Sequence, residues 1–492
     1  MDRDLESVQE ARDKIRAGRR AAAAFATFDQ AAVDRVVAAM ACAAEGAAED
    51  LARMAAEETG FGVVEHKVQK NLFAARDVYL YIKDLKTCDV IAEDRARGVV
   101  QIAVPVGVIA GITPVTNPTS TVIYKALISL KARNAVIFSP HPGALNCSLE
   151  AARLMAQAAV SAGAPEGVVG CLTQPTAEAA REIMSNRDVD LILATGGMAM
   201  VRAAYSSGKP AYGVGPGNVP VYVDRSADVA HAVSCIVESK TFDNGVFCSS
   251  EQAVICDAPV RSAAVQEFER AGCVFLNDEQ KSAVAALLDD NGKLNNAVVG
   301  QPAARVAAMA GIDVPADATI LIGFEDRVGR NVPFSWEKIS PVLAWYDVPD
   351  WVNGCERCLE VLANGGMGHT LAIHARDEQV IREFGLRKPV FRVVVNTPAS
   401  QGAIGLTTNL APALTLGCGS LGGNITSDNI TPMHLLHIKR VAADRAEAEA
   451  GLAELSPAGA AEGDRKPFGG VSPDLVERVV EEVLRELERG GS

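Results

Sequence analysis

The clearest structural signal in this chain is the segment Gly107-Val-Ile-Ala-Gly-Ile-Thr-Pro-Val-Thr-Asn-Pro-Thr-Ser-Thr-Val-Ile-Tyr-Lys-Ala-Leu-Ile-Ser-Leu-Lys-Ala-Arg-Asn-Ala-Val-Ile-Phe138. Its apolar runs Val108 to Ile112 and Ala135 to Phe138 are typical of short buried strands, and Ser120 to Lys131 between them is typical of a helix. Strand, helix and strand in this order form one unit of a parallel sheet. The segment therefore predicts an α/β fold.

The same alternation continues along most of the chain. Up to Asp224, the further predicted elements are the strands Val168 to Leu172, Leu191 to Ala194 and Val219 to Val223 and the helix Leu149 to Gly163. From about 227 to 397, the predicted strands are Ala253 to Ile255, Val274 to Leu276, Ile320 to Ile322, Leu343 to Tyr346, Leu371 to Ile373 and Arg392 to Val395. Sheets built in this way bind ligands beyond the carboxyl ends of their strands.

The region before these alternating sets has a different pattern. Residues 1 to about 80 are rich in alanine and carry apolar positions at helical spacing, which indicates packing helices. Gly98 to Ile112 is rich in β-branched residues and is interrupted by Pro105. This pattern predicts an arm or edge strand that leads into a buried strand.

Length, charge and cysteine content limit the class of protein. At 492 residues the chain is long enough for about two or three domains, and its net charge of −14 argues against binding to nucleic acid or to an anionic membrane. We find no long apolar run and no signal-peptide pattern, so we expect a cytoplasmic protein. Eleven scattered cysteines indicate reduced thiols; Cys355 and Cys358 have two residues between them, but no second ligand pair completes a metal site.

One cysteine lies in a setting that suits a nucleophile, within Thr241-Phe-Asp-Asn-Gly-Val-Phe-Cys248-Ser-Ser-Glu-Gln-Ala-Val-Ile255. Asp243-Asn244-Gly245 predicts a tight bend, and Gln252 to Ile255 predicts the start of a buried strand. Cys248 would then lie in a loop that a substrate can reach, where a thiolate attacks a carbonyl carbon well. The alternative is a small buried apolar side chain, the usual fate of a free cysteine.

Two loops of the first alternating set suit a pyrophosphate. Ser139-Pro-His141-Pro-Gly143 follows one predicted strand and Thr195-Gly196-Gly197 follows another, and each opens a helix whose free N–H groups can bind phosphate. There is no Gly-x-Gly-x-x-Gly motif, and a glycine pair alone is more often a turn.

Five separated motifs, taken together, closely resemble the CoA-acylating branch of the aldehyde dehydrogenase superfamily. They are the Cys248 segment, Gly111-Ile-Thr-Pro-Val-Thr-Asn117-Pro-Thr-Ser-Thr121, Phe138-Ser-Pro-His141-Pro, Gly366-Met-Gly-His369-Thr and Asn396-Thr-Pro-Ala-Ser-Gln-Gly402. The chain looks like the aldehyde dehydrogenase half of bifunctional aldehyde-alcohol dehydrogenases and like the acetaldehyde or propionaldehyde dehydrogenases of bacterial microcompartments. The resemblance covers roughly Asp34 to Val441.

The resemblance implies an α/β aldehyde dehydrogenase-like fold with a Rossmann-like cofactor domain, an α/β catalytic domain and a small oligomerisation arm. We therefore expect the cofactor domain and the arm in residues 1–226 and 398–445, and the catalytic domain in residues 227–397. It also implies a homo-oligomer, either a dimer or a tetramer. The implied cofactor is NAD, and NADP is the alternative, because Ser139 lies where most of the superfamily carries lysine.

The resemblance assigns catalytic roles to three residues. Cys248 would attack the aldehyde, Asn117 would hold the oxyanion, and His369 would either act on the CoA thiol or only hold a loop. For Asn117 the alternative is a turn residue before proline. The implied cofactor-binding residues are Thr113, Pro114, Ser139, His141, Gly143, Thr195, Gly196, Gly197, Gly215 and Glu337; for Glu337 the alternative is a surface carboxylate.

A missing carboxylate separates two possible reactions. Hydrolytic relatives activate water with a glutamate, but the matching stretch Ala211-Tyr-Gly-Val-Gly-Pro-Gly-Asn218 has no acidic residue. Without that general base a thioester on Cys248 would wait for coenzyme A, so we expect reversible formation of acyl-CoA from a short aldehyde. The alternatives are an acylating sulfoacetaldehyde dehydrogenase, a non-acylating enzyme, and an inactive scaffold.

The end of the chain predicts a tethered helix. Residues 446–470 read as a linker rich in alanine, glycine and proline. Residues 471–492 begin with the cap Ser472 and have one apolar face, formed by Leu475, Val476, Val479, Val480, Val483, Leu484 and Leu487. This helix resembles the encapsulation peptides that direct enzymes into bacterial microcompartments; the alternative is docking on its own subunit or oligomer.

Overall fold

The protein is described here from a computed structural model, which covers residues 3–445. The predicted linker and the predicted amphipathic helix, residues 446–492, lie outside the described residues. The chain divides into two compact units, one of Met1–Ala92 and Gln101–Lys439, the other of Glu93–Val100 and Arg440–Ser492. The first unit contains both large sheets and every candidate catalytic residue.

Helices dominate the first 82 residues, as predicted, and then alternate with strands. The α-helices are α1 Arg3–Phe25, α2 Gln30–Gly46, α3 Ala48–Thr59, α4 Val64–Leu72, α5 Val78–Ile82, α6 Pro118–Lys131, α7 Leu145–Ser161, α8 Ala177–Ser185, α9 Met198–Ser206, α10 Val229–Thr241, α11 Arg261–Arg270, α12 Asp278–Leu288, α13 Ala303–Met309, α14 Trp351–Asn364, α15 Glu378–Arg387 and α16 Ala399–Ala403. No helix among residues 3–445 is long and apolar enough to cross a membrane.

The strands form three sheets. They are β1 Asp89–Asp94, β2 Val99–Pro105, β3 Val108–Ile112, β4 Ala135–Ser139, β5 Val169–Cys171, β6 Leu191–Thr195, β7 Ala211–Val214, β8 Val219–Val223, β9 Glu251–Asp257, β10 Val274–Phe275, β11 Leu321–Phe324, β12 Val342–Val348, β13 Leu371–His374, β14 Val393–Val395 and β15 Leu436–Ala442. The two larger sheets are wholly parallel, so the predicted α/β class is confirmed.

The five-stranded sheet has the order β5-β4-β3-β6-β7. From β3 the chain adds β4 and then β5 on one side of the sheet. It then returns to the other side of β3 and adds β6 and β7. This reversal makes a Rossmann-like sheet with a topological switch point between β3 and β6, where a crevice opens beyond the carboxyl ends. Strands β3 and β4 are fully buried, which accounts for the unbroken apolar runs that mark them in the sequence.

Helix α6 is the centre of this half of the molecule, because all of its residues are buried. Its two internal lysines are paired with backbone or carboxylate oxygens. The Lys125 ammonium donates to the carbonyls of Ile112 and Leu193, at 2.6 and 2.8 Å, and burial lowers its pKa well below the usual range. The Lys131 ammonium donates to Asp34 at 2.6 Å. These hydrogen bonds give the two buried ammonium groups partners that they would otherwise lack in an apolar interior.

The seven-stranded sheet has the order β10-β11-β12-β9-β8-β13-β14. Strand β8, Val219–Val223, pairs with β9 on one side and β13 on the other. We had placed Val219 to Val223 in the first alternating set, and that placement was wrong. Apolar patterning identifies a strand but not its neighbours, and the short connection after β7 carries the chain directly into the second sheet. The division drawn at residues 226 and 227 therefore separates β8 from its own sheet, and the fifth strand of the first sheet is β7.

The last part of the first unit packs back onto α6. The Tyr124 hydroxyl donates to the carbonyl of Ile430 at 2.6 Å, and the Asn134 amide donates to the carbonyl of Leu435 at 2.8 Å. Strands β1, β2 and β15 form a three-stranded sheet in that order. Within the second unit, the Ala443 N–H donates to the carbonyl of Gly98 at 2.9 Å.

We expect Tyr124→Phe to destabilise the protein by about 1–3 kcal/mol, because it leaves the buried carbonyl of Ile430 without its donor. The control is Tyr81→Phe, since Tyr81 is 44% exposed, and we expect it to change stability by less than about 0.5 kcal/mol. Urea unfolding followed by circular dichroism measures both. Equal unfolding midpoints for Tyr124→Phe and the unmodified protein would contradict this account of the return segment.

Candidate active site

Cys248 lies in a loop between a tight bend and strand β9, as the sequence predicts. Asp243, Asn244 and Gly245 all have left-handed backbone conformations, with φ of 50°, 55° and 72°. This bend, Phe242–Gly245, precedes the loop, and the Ser250 N–H donates to the carbonyl of Phe247 at 3.0 Å. The side chain of Cys248 is partly exposed, whereas nine of the other ten cysteines are buried.

Sheet topology brings three sequence-distant residues together. Cys248, Gly217 and His369 each lie just before a strand of the seven-stranded sheet, β9, β8 and β13, and these strands are adjacent. Since the strands are parallel, their amino ends meet at one edge. The site is therefore built on the amino edge of this sheet.

The imidazole of His369 contacts the thiol directly. Its Nε2 lies 3.2 Å from the Sγ of Cys248, and its Nδ1 lies 3.0 Å from the Oγ1 of Thr370. His369 is fully buried, and the preceding Gly366 and Gly368 have φ of 89° and 78°. These left-handed positions account for the Gly-Met-Gly-His pattern, because they favour glycine where the backbone turns the imidazole inward.

Gly217 must lack a side chain for this arrangement to exist. A Cβ at Gly217 would lie 2.1 Å from the carbonyl oxygen of Cys248 and 3.1 Å from the ring of His369. The backbone between β7 and β8 therefore packs directly on the backbone of Cys248 and on the imidazole of His369. No carboxylate lies in that connection, residues 215–218.

Both members of the thiol and imidazole pair are neutral near pH 7. Burial, followed by the charges of Glu337 and Cys418, raises the pKa of Cys248 to about 12. Burial and the nearby Arg392 guanidinium lower the pKa of His369 to about 3. In the resting site the proton therefore stays on the thiol, and the neutral imidazole has one nitrogen free to accept a hydrogen bond from it. A role for His369 as proton acceptor requires substrate binding to bring the two pKa values together.

Glu337 lies close to the same backbone connection. Its Oε1 accepts a hydrogen bond from the Gly217 N–H at 2.9 Å. Burial raises the pKa of Glu337 to about 8, although this hydrogen bond and the ammonium groups of Lys240 and Lys338 oppose the shift. The carboxyl group is therefore mostly protonated at pH 7.

Asn117 begins α6 without capping it through its side chain. Its Oδ1 instead accepts a hydrogen bond from the Lys70 ammonium at 2.5 Å, and its Nδ2 donates to the Oγ1 of Thr116 at 3.1 Å. The ammonium groups of Lys67 and Lys70 both contact the Oδ2 of Asp243, in the bend before Cys248. Sequence analysis missed both lysines; the only signal was two lysines three residues apart within a helix.

The predicted cofactor loops share one edge of the five-stranded sheet. Thr113 and Pro114 follow β3, Ser139 ends β4 and precedes His141 and Gly143, Thr195 ends β6 and precedes Gly196 and Gly197, and Gly215 follows β7. All of these lie at carboxyl ends, as the sequence predicts. The Oγ1 of Thr113 is buried without a hydrogen-bond partner. Gly197 starts α9 with no side-chain cap and with open space around it.

The two cysteines with Cys-x-x-Cys spacing are buried on α14. Cys355 and Cys358 pack in the apolar core of the seven-stranded sheet. Among residues 3–445 there is no group of three or more side chains of the types that hold a metal ion.

Comparison with known proteins places these features in a family. The aldehyde dehydrogenase family model matches residues 4–282. The bifunctional aldehyde-alcohol dehydrogenase AdhE of Escherichia coli K12 is 48% identical over 428 residues, which cover 86% of this chain and 48% of that relative. The chain thus spans about half the length of the curated relative.

Solved structures match over nearly their full length. An acetylating aldehyde dehydrogenase from Geobacillus thermoglucosidasius is 52% identical, with a TM-score of 0.89 over 90% of this chain and 98% of the other. Propionaldehyde dehydrogenase from Rhodopseudomonas palustris, solved with bound CoA and an acylated cysteine, is 28% identical, with a TM-score of 0.80 over 88% and 97%. The propionaldehyde dehydrogenase of the Clostridium phytofermentans fucose utilisation microcompartment is 29% identical, with the same score and coverage.

The neutral state of the thiol has a measurable consequence in the protein without substrates. With a pKa of about 12 for Cys248, the thiolate fraction rises about tenfold for each pH unit across the neutral and mildly alkaline range. We expect alkylation of Cys248 by iodoacetamide to rise about 100-fold between pH 7 and 9, measured by mass spectrometry of its peptide. The exposed Cys42 serves as an internal standard for the reagent. A rate that is already constant at pH 7 would indicate a thiolate paired with an imidazolium.

Proposed function

Because the chain belongs to the aldehyde dehydrogenase family, we propose that it converts a short aldehyde, coenzyme A and NAD(P)⁺ into acyl-CoA and NAD(P)H. The observation that carries this proposal is the contact between Cys248 and His369, 3.2 Å apart, beside a connection that has no carboxylate. Such a site can form a thioester, and the stretch that carries the water-activating glutamate in hydrolytic relatives has no acidic residue here.

Formation of the thioester begins with the thiol. As the aldehyde arrives, the proton of Cys248 moves to the Nε2 of His369, and the sulfur forms a bond with the carbonyl carbon. The electron pair of the C=O bond moves to oxygen, and the Nδ2 of Asn117 with the backbone N–H of Cys248 would hold this oxyanion. A nicotinamide cofactor, when bound, would supply the hydride acceptor. Loss of hydride from that carbon restores the C=O bond and leaves a thioester on Cys248.

Transfer to coenzyme A completes the cycle. The thiol of coenzyme A attacks the thioester carbon, a new C–S bond forms, and the bond to Cys248 breaks. Once the proton taken from Cys248 has been released to solvent, the neutral His369 would accept the proton of the incoming thiol and return it to the departing sulfur. One thioester replaces another, so the steps can run in either direction.

The dinucleotide would lie on the carboxyl edge of the five-stranded sheet. The unpartnered Oγ1 of Thr113 and the uncapped start of α9 at Gly197 both fit a group that brings hydrogen-bond acceptors. We propose these cofactor-binding residues: Thr113, Pro114, Ser139, His141, Gly143, Thr195, Gly196, Gly197, Gly215 and Glu337. Glu337 would then exchange its bond with the Gly217 N–H for one to the ribose.

Three finer points belong to the same proposal. Acetaldehyde and propionaldehyde are the proposed substrates, with a sulfoaldehyde as the alternative, in keeping with the acetylating and propionaldehyde-specific names of the solved relatives. The strands β1, β2 and β15 would serve a homo-oligomer. The apolar face of residues 471–492 would bind a microcompartment shell or cargo protein, and the microcompartment relative supports that location.

The test is NADH formation from propionaldehyde with and without coenzyme A, using NAD⁺ and NADP⁺ in parallel. We expect sustained turnover only with coenzyme A, and at most about one reduced cofactor for each active site without it, since the thioester then has no efficient acceptor. Equal sustained turnover in both conditions would mean that water reaches the thioester, and the acylating assignment would fail.

The matched control is Cys248→Ala. It should bind the dinucleotide with unchanged affinity, measured by fluorescence titration, and should form no reduced cofactor in either condition. Turnover by this variant would remove Cys248 from the reaction.

A further inference from the structure

A buried ionic cluster lies beside the proposed oxyanion site. Lys67 and Lys70 lie on the same face of α4, and both ammonium groups contact the carboxylate of Asp243. All three side chains are at most 3% exposed. The other carboxylate oxygen of Asp243 accepts a hydrogen bond from the Val63 N–H at 2.6 Å.

The two lysines differ in what else they contact. Lys70 donates to the Oδ1 of Asn117 at 2.5 Å, whereas Lys67 donates to the backbone carbonyl of Thr116 at 3.3 Å. Only the bond from Lys70 acts on the side chain of Asn117. An ammonium group has donors and no acceptor, so this bond requires the oxygen of the amide, and not its nitrogen, to face α4.

The orientation of the amide determines what Asn117 can offer to a substrate. With Oδ1 turned to Lys70 and one hydrogen of Nδ2 donated to Thr116 at 3.1 Å, the second hydrogen of Nδ2 is left to donate. An amide turned the other way would present an acceptor to the developing oxyanion and would repel it.

The charge of Lys70 also acts near the thiol. Its ammonium lies 4.3 Å from the centre of the Phe247 ring, next to Cys248 in sequence. Burial lowers the pKa of Lys70 to about 8, while Asp243 and Cys248 act in the opposite direction. Lys70 is therefore mostly protonated at pH 7 and adds positive potential where negative charge would develop.

We propose that Lys70 is a positioning residue for the acylation step: anchored by Asp243, it fixes the Asn117 amide with its N–H toward the oxyanion. This inference rests on the proposed function, because it assumes the oxyanion role of Asn117. Anchoring of α4 alone does not require Lys70, since Lys67 already provides Asp243 with a cation at 3.0 Å.

The experiment compares Lys70→Met with the matched control Lys67→Met. Each variant removes one buried cation from the same carboxylate and leaves the other in place, so both are expected to fold. The measured quantity is the rate of the first turnover, NADH formation with saturating propionaldehyde and NAD⁺ and no coenzyme A. We expect Lys70→Met to slow it by about 10–100-fold, somewhat less than the loss of an oxyanion donor itself. We expect Lys67→Met to slow it by less than about threefold.

A double-mutant cycle tests whether Lys70 acts through Asn117. Asn117→Ala should slow the first turnover, and adding Lys70→Met to it should slow the reaction no further, because the amide to be positioned is gone. The dissociation constant of NAD⁺ should stay within about twofold in every variant. Independent, multiplicative losses would overturn the proposal, as would equal losses in Lys70→Met and Lys67→Met.

A second variant keeps the proposal testable if Lys70→Met does not fold. Lys70→Gln retains a donor for Asp243 without the charge. Its amide offers an acceptor as well as a donor, so it no longer dictates which way the Asn117 amide faces, and we expect the same cycle with Asn117→Ala. A folded Lys70→Gln protein with the unmodified rate overturns the proposal. Failure of the proposed function is distinguishable: it would appear in the unmodified protein as turnover that does not depend on coenzyme A.

Discussion

A single buried carboxylate, Asp243, holds together parts of the chain that the reaction needs side by side. It contacts two lysines of α4 and the backbone of Val63, and it lies five residues before Cys248. The Asp243 carboxylate packs directly against the backbone of Gly62, where a Cβ would lie 1.8 Å from its Oδ1. Removing one partner from such a buried ion pair usually costs about 3–5 kcal/mol, so the bend before the thiol is strongly fixed.

The order of the strands in the sheet determines which residues lie beside this bend. The parallel seven-stranded sheet brings Cys248, His369 and Gly217 to one edge, and the connection after β7 joins that edge to the carboxyl edge of the five-stranded sheet, where the cofactor loops lie. Burial keeps the thiol and the imidazole neutral until a substrate is present. A nucleophile that is neutral at rest is protected from oxidation and alkylation, and in the proposed reaction His369 would be its proton acceptor.

The sequence predicts where the strands lie along the chain better than it predicts which strands pair with one another. Apolar runs at Val108–Ile112 and Val219–Val223 locate both strands correctly, because burial on both faces leaves a continuous β-branched signal. The same signal does not indicate which sheet a strand joins. For that reason the sequence analysis assigns β8 to the wrong sheet. Residues that meet only through topology, such as Cys248 and His369, were identified by resemblance, and their 3.2 Å contact required the structure.

The lysines of α4, Lys67 and Lys70, show a second feature that the sequence does not predict, the burial of charged side chains. Lys67 and Lys70 look like ordinary solvated positions in an alanine-rich helical region, and nothing local indicates burial. Their partner Asp243 is more than 170 residues away, at a bend that the sequence analysis valued only for its turn chemistry. Buried charge is decided by long-range packing, and a local pattern does not report it.

We propose that Cys248 carries the acyl group and keeps it until coenzyme A arrives. The most direct measurement is the mass of the Cys248 peptide after the protein is mixed with propionaldehyde and NAD⁺, quenched in acid and digested, with and without a later addition of coenzyme A. The account predicts one propionyl group on Cys248 that disappears when coenzyme A is added. An unmodified Cys248 while reduced cofactor accumulates, or an acyl group on another residue, would contradict it.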